Sequence, residues 1–116
     1  MIYLASPYSH PEAEIRQSRY EQVERLAAQY LMKGLTAFSP IVYGHNMAVA
    51  YDMGLAANDW WRFNAAILRR CEEVHVVQIN GWETSIGIQQ EIEFANTLHL
   101  PLTYVDKFGA VVRSFG

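Results

Sequence analysis

The chain has 116 residues, 51% of them hydrophobic and 18% charged, with a formal net charge of −3. One domain of this length and composition can bury a core without disulfides or metal, which excludes disordered and low-complexity chains. Nine Lys and Arg against twelve Asp and Glu leave no basic surface for a nucleic-acid polymer.

The single cysteine, Cys71, permits no internal disulfide, and no zinc ligand set accompanies it. No run approaches the ~18–20 apolar residues of a membrane span. Residues 1–9 lack a basic n-region and meet Pro7, unlike a signal peptide. These features predict one domain over residues 1–116 in a reducing, cytoplasmic compartment, without membrane contact.

Residues 1–5 (MIYLA) form a short apolar run that predicts a buried strand. Ser9 followed by Glu12 has capping-box spacing and predicts a helix start. Val23, Leu26, Ala27, Tyr30 and Leu31 then recur at helical spacing, and Gly34 supplies a left-handed stop. Residues 35–39 predict a second strand halted by Pro40, and residues 44–54 a loop with a short helix. Asn58 or Asp59 opens a helix running to about Arg70, with Trp60, Asn64, Ile67, Leu68 and Cys71 on one face. Residues 74–79 are nearly all apolar, as in the centre of a parallel sheet. Asn80-Gly81 breaks that strand, and Ser85 caps a helix carrying Ile88, Ile92, Ala95 and Leu98. Residues 101–105 predict a fourth strand, and 110–115 a fifth strand or a tail.

Alternating strands and helices imply a parallel sheet covered on both faces, with ligands at the carboxyl ends of the strands. Candidate walls are therefore residues 6–9, 39–45 and 80–91. In the last of these, Ser85 at a helix start with Gly87 two residues on leaves backbone N–H groups suited to an anion. Glu91 shares a face with Ile88 and Ala95, so a carboxylate points toward core or pocket, where nucleophilic or acid–base work would explain it. Spacing alone favours Ser85 as a plain N-cap and Glu91 as a surface residue at the edge of the stripe.

Three segments, taken in order, change that balance: Ile2-Tyr3-Leu4-Ala5-Ser6-Pro7-Tyr8-Ser9, Phe38-Ser39-Pro40-Ile41, and Gly81-Trp82 through Glu91 to Ala95. With them the chain resembles the nucleoside 2-deoxyribosyltransferase superfamily, in its small bacterial and phage branch with a GWxxSxGxxxE segment. The resemblance spans residues 1 to about 105. It implies a flavodoxin-like α/β three-layer sandwich with a four- to five-stranded, mainly parallel sheet. It also implies cleavage of the N-glycosidic bond of 2′-deoxynucleosides or their 5′-monophosphates, by hydrolysis or by transfer to a second base. A Glu in the Glu91 position attacks the anomeric carbon and forms a covalent deoxyribosyl intermediate. A Ser in the Ser85 position contacts a 5′-phosphate, where relatives acting on free nucleosides carry Asp. The ligand implied is thus a small nucleoside or nucleotide, favouring the monophosphate. The resemblance implies a homo-oligomer, dimer or tetramer, in which Arg113 and Ser114 of the final segment reach a partner's site. It implies no cofactor and no metal. A flavin site is disfavoured, because the first loop lacks a Ser/Thr-Gly-rich phosphate cradle.

One position departs from the pattern. Where the family places an Asp as general acid, this chain has Asn64, which has no acidic proton to give. Either Asn64 binds without proton transfer, or Asp59, five residues upstream, takes the role, or turnover is lost and a nucleotide-binding protein remains. Among other candidates, Ser6 contacts phosphate, Tyr8 stacks on a base or sugar, His45 touches the base side and Trp82 shapes the rim. A lone loop histidine like His45 is more often exposed, and Ser9 has a sufficient role as a cap. Of the adjacent Trp60 and Trp61, one is expected in the core and the other at a neighbouring subunit. Cys71 and His75 read as structural. Arg16 and Arg19, one turn apart, could face an anion, but their spacing favours a solvated helix face.

Overall fold

A computed structural model describes residues 1–53 and 57–115, without the side chains of 57–59 and 115. Its elements are β1 (Ile2–Ala5), α1 (Ala13–Met32), β2 (Ala37–Phe38), α2 (Pro40–Ala50), α3 (Ala57–Leu68), β3 (Glu73–Val77), α4 (Ile86–Thr97), β4 (Leu102–Val105) and β5 (Val111–Phe115). A single 3₁₀ turn, Trp82–Thr84, precedes α4. The strands form one sheet in the order β2-β1-β3-β4-β5. The first four are parallel and β5 returns antiparallel on β4. The fold is α/β, a flavodoxin-like three-layer sandwich.

Strand alternation sorts the core into two layers. From β1, Ile2 and Leu4 pack with Val23, Leu26 and Tyr30 of α1 on one face. Tyr3 and Ala5 face the other way, toward Leu68 of α3 and Ile88 and Ala95 of α4. Both faces of β1 and β3 are therefore covered, which is why those strands read as nearly unbroken apolar runs. Cys71 belongs to the second layer, where burial raises its thiol pKa. His75 ties β3 to α1 through a 2.7 Å hydrogen bond between Nδ1 and the Tyr30 hydroxyl.

Several boundaries differ from the sequence expectation. Helix α1 starts at Ala13 with Glu12 as N-cap, and no side chain caps it. Ser9 is thus not the cap: Pro11 disfavours helical backbone at His10, and the His10 ring accepts the Glu12 amide at 3.0 Å. The end is as expected, with Gly34 following at φ +80°. Pro40 does more than halt a strand. Ser39 accepts the Val42 amide at 3.1 Å and Pro40 occupies the first turn, so the pair opens the 11-residue helix α2. Of residues 44–54, expected as a loop with a short helix, 44–50 continue that helix and residue 54 lies outside the described residues. Gly44 sits within it because the indole of Trp60 packs where a side chain would stand: a Cβ there would lie 2.9 Å from Trp60 Cη2. The final segment is a strand, with Arg113 opposite Tyr104 and Ser114 opposite Thr103.

Leu68 is fully buried where α3 meets the sheet. Leu68→Ala is expected to lower unfolding free energy by about 2–5 kcal/mol, read as a lower urea midpoint with an unchanged slope.

Candidate functional site

Strand order reverses between β1 and β3, and the chain leaves the carboxyl ends of these neighbours in opposite directions. Residues 6–10 follow β1 and residues 78–85 follow β3. Together with α2, α3 and the start of α4 they enclose a pocket of about 390 Å³. Ser6 and Tyr8 come from the first loop, His45 from α2, Asn64 from α3, and Ser85, Gly87 and Glu91 from the third crossover.

Glu91 is 5% exposed, on the inward face of α4 with Ile88 and Ala95. The Tyr3 hydroxyl donates a hydrogen bond to its Oε2. Burial raises the Glu91 pKa from 4.5 to about 8, and the Tyr3 hydrogen bond acts in the opposite direction. Burial and the Glu91 charge in turn push the Tyr3 phenol well above its usual range. Such an acid holds its proton at neutral pH unless a ligand changes its surroundings. When ionised, its carboxylate is poorly solvated and correspondingly reactive.

Ser85 is the N-cap of α4, accepting the Ile88 amide at 3.2 Å. The first-turn amides of the helix have no intrahelical acceptors, and Ile86 and Gly87 border the pocket. Two pocket-lining oxygens, Ser6 Oγ and Asn64 Oδ1, are buried without a hydrogen-bond partner among the described residues. Buried polar atoms are seldom left unpaired, so these two mark where a polar ligand would dock.

His45 is neither in a loop nor exposed. It lies on α2, buried, with its ring stacked on Tyr20 at 4.3 Å between centroids. Its Nε2 donates to Gln17 Oε1 at 2.8 Å, so Nδ1 accepts from the Tyr8 hydroxyl at 2.6 Å. Burial and the Arg16 guanidinium lower the His45 pKa and keep the ring neutral. Tyr8 is thereby held at the pocket wall by its hydroxyl.

Trp82 stands apart from the pocket lining. It packs on the core and lies edge-to-face with Tyr104 at 5.8 Å. The side chain of Asp59 lies outside the described residues. Trp60 and Trp61 both line the pocket, and Trp61 also packs on the core and against Phe94 at 5.5 Å. Sequence reasoning missed Tyr3, whose phenol is hidden in an apolar strand pattern. It also favoured a solvated face for Arg19, which borders the pocket.

Among the described residues, no cluster of His, Cys, Asp and Glu could hold a metal ion, and no helix is long and apolar enough to cross a membrane.

The family model described as "Domain of unknown function (DUF1937)" matches residues 1–106. The chain belongs to this family. The matched residues run from β1 through β4, so every pocket residue of the DUF1937 domain falls inside the match and only β5 lies beyond it. No curated protein matches the chain.

The Glu91 carboxyl also makes stability pH-dependent. The folded state keeps its proton up to about pH 8, whereas the unfolded chain releases it near 4.5. Stability from this group is therefore fully present below about pH 4.5 and declines until about pH 8. Thermal unfolding of Glu91→Gln is expected to lack this decline and to exceed wild type above pH 8, by a few kcal/mol.

Proposed function

We propose that this domain cleaves the N-glycosidic bond of a 2′-deoxynucleoside 5′-monophosphate through a covalent intermediate on Glu91. The observation that carries the reading is a buried carboxyl at the carboxyl end of the sheet, sharing one pocket with the N-terminus of its own helix. This agrees with the resemblance to the nucleoside 2-deoxyribosyltransferase superfamily in the segments ending at Ser9, Ile41 and Ala95.

In this reading the phosphate rests at Ser85 and Gly87 and places the sugar over Glu91. The ionised carboxylate attacks the anomeric carbon, a carbon–oxygen bond forms, and the carbon–nitrogen bond breaks. The base leaves with the electron pair of that bond and takes a proton from water, since Asn64 has none to give. A second water, or an acceptor base, then attacks the same carbon, breaks the bond to Glu91 and gives its proton to the hydroxide left by the first water. The Tyr3 hydroxyl stabilises the carboxylate as it is released. A cytoplasmic setting and a homo-oligomer form part of the same proposal.

A second reading, nucleotide binding without turnover, is favoured by one feature. The unpartnered Asn64 Oδ1 borders the pocket where an acid is expected.

Incubation with the common deoxynucleoside 5′-monophosphates is expected to release free base with wild type and none with Glu91→Ala. No release by wild type, or equal release by the variant, would refute the reaction. Because the nucleophile is the ionised form, kcat/KM should rise about tenfold per pH unit up to about pH 8 and level off above it. Under the second reading, wild type binds nucleotide without releasing base, and Asn64→Asp gains release.

A further inference from the structure

We infer that Arg19 is the residue by which the pocket recognises a phosphate monoester, and that the bare backbone of Gly81 holds its guanidinium in place. The inference rests on the nucleotide reading of the pocket and names the cation that reading lacks.

Arg19 lies on α1 yet borders the same pocket as Ser85 and Gly87. Its guanidinium is oriented by hydrogen bonds at Nη1 and given room at Nη2. Nη1 donates to the Ser9 carbonyl at 2.9 Å and, more weakly, to the Tyr8 carbonyl at 3.4 Å. Nη2 lies over Gly81, where a Cβ would collide with it. Gly81 has φ +94°, a conformation costly for other residues. No ion pair joins Arg19 to a carboxylate among the described residues. A half-buried, permanently charged group is thus held by neutral carbonyls, with its charge uncompensated. Ser6 Oγ, buried and without a partner, borders the same pocket and marks a polar ligand independently.

A planar guanidinium with free donors matches the oxygens of a phosphate, and the N-terminus of α4 adds a second positive pole. A ligand without phosphate would leave both uncompensated. Arg19 therefore acts on specificity: it separates a nucleotide from its nucleoside and takes no part in bond cleavage.

The test measures binding by the fluorescence of the pocket tryptophans and, in parallel, free-base release. The probes are the four 2′-deoxynucleosides, their 5′-monophosphates and inorganic phosphate as competitor. Wild type should prefer the monophosphates, with inorganic phosphate competing. Arg19→Gln should weaken monophosphate binding by about ten- to a hundredfold while leaving nucleoside binding unchanged. Gly81→Ala should move the guanidinium and lose part of the same preference, and Arg19→Lys should retain part of it. If Arg19→Gln does not fold, the latter two variants carry the comparison.

Equal weakening of nucleoside and nucleotide would show that Arg19 only props the first loop and would overturn the assignment, as would the absence of any preference in wild type. The reaction is judged separately. An Arg19-dependent phosphate preference without base release removes the reaction and leaves Arg19 assigned. Base release with a preference unaffected by Arg19→Gln removes only the assignment.

Discussion

The hydrogen bond from the Tyr3 hydroxyl to the Glu91 carboxyl joins strand β1 to the third crossover helix across 88 residues of chain. Both groups are buried in a layer otherwise made of Leu68, Val74, Val76, Ile88 and Ala95. An acid in such surroundings costs free energy that an apolar residue would not, and a single phenol offsets only part of it. The contact fixes how far α4 can slide along β1, and therefore where its N-terminus meets the end of β3. A site that needs a helix start and a carboxylate at set positions requires that register.

Around this contact the pocket is built from two kinds of wall. The α4 side and the first loop are polar, with Ser6, Ser85 and the Arg19 guanidinium. The α2 and α3 side is aromatic and small, with Trp60 laid against Gly44 and Trp61 beside it. In the proposed reading, the aromatic wall takes the base of the nucleotide and the polar wall its phosphate. The Gln17–His45–Tyr8 chain joins the polar loop to α2, so the two walls move together if either moves.

What could be read in the chain follows from whether the signal is local. Strand β1, helix α1, the Ser85 cap and the inward face of Glu91 all rest on spacing within one or two helical turns. The start of helix α2 escaped because Pro40 and Gly44 look like breakers. Pro40 is a helix opener once Ser39 caps it, and Gly44 is explained only by Trp60, which belongs to another helix. Tyr3 has the pattern of a core aromatic, and nothing near it in sequence reveals its partner. Arg19 has the spacing of an exposed helix residue. Its placement depends on Gly81, in the loop that follows β3.

Strand β2 consists of two residues, and its pairing with β1 ends at Tyr3 and Phe38. So short an edge presents few unpaired amides and carbonyls to another chain, which is one way natural sheets resist edge-to-edge aggregation. The opposite edge is less protected. In β5, Val111 and Val112 are 62% and 56% exposed, and the charge among them is Arg113, lying 4.9 Å over the Tyr104 ring. Strand-templated association of this domain therefore has one preferred edge, with Arg113 as its gatekeeper.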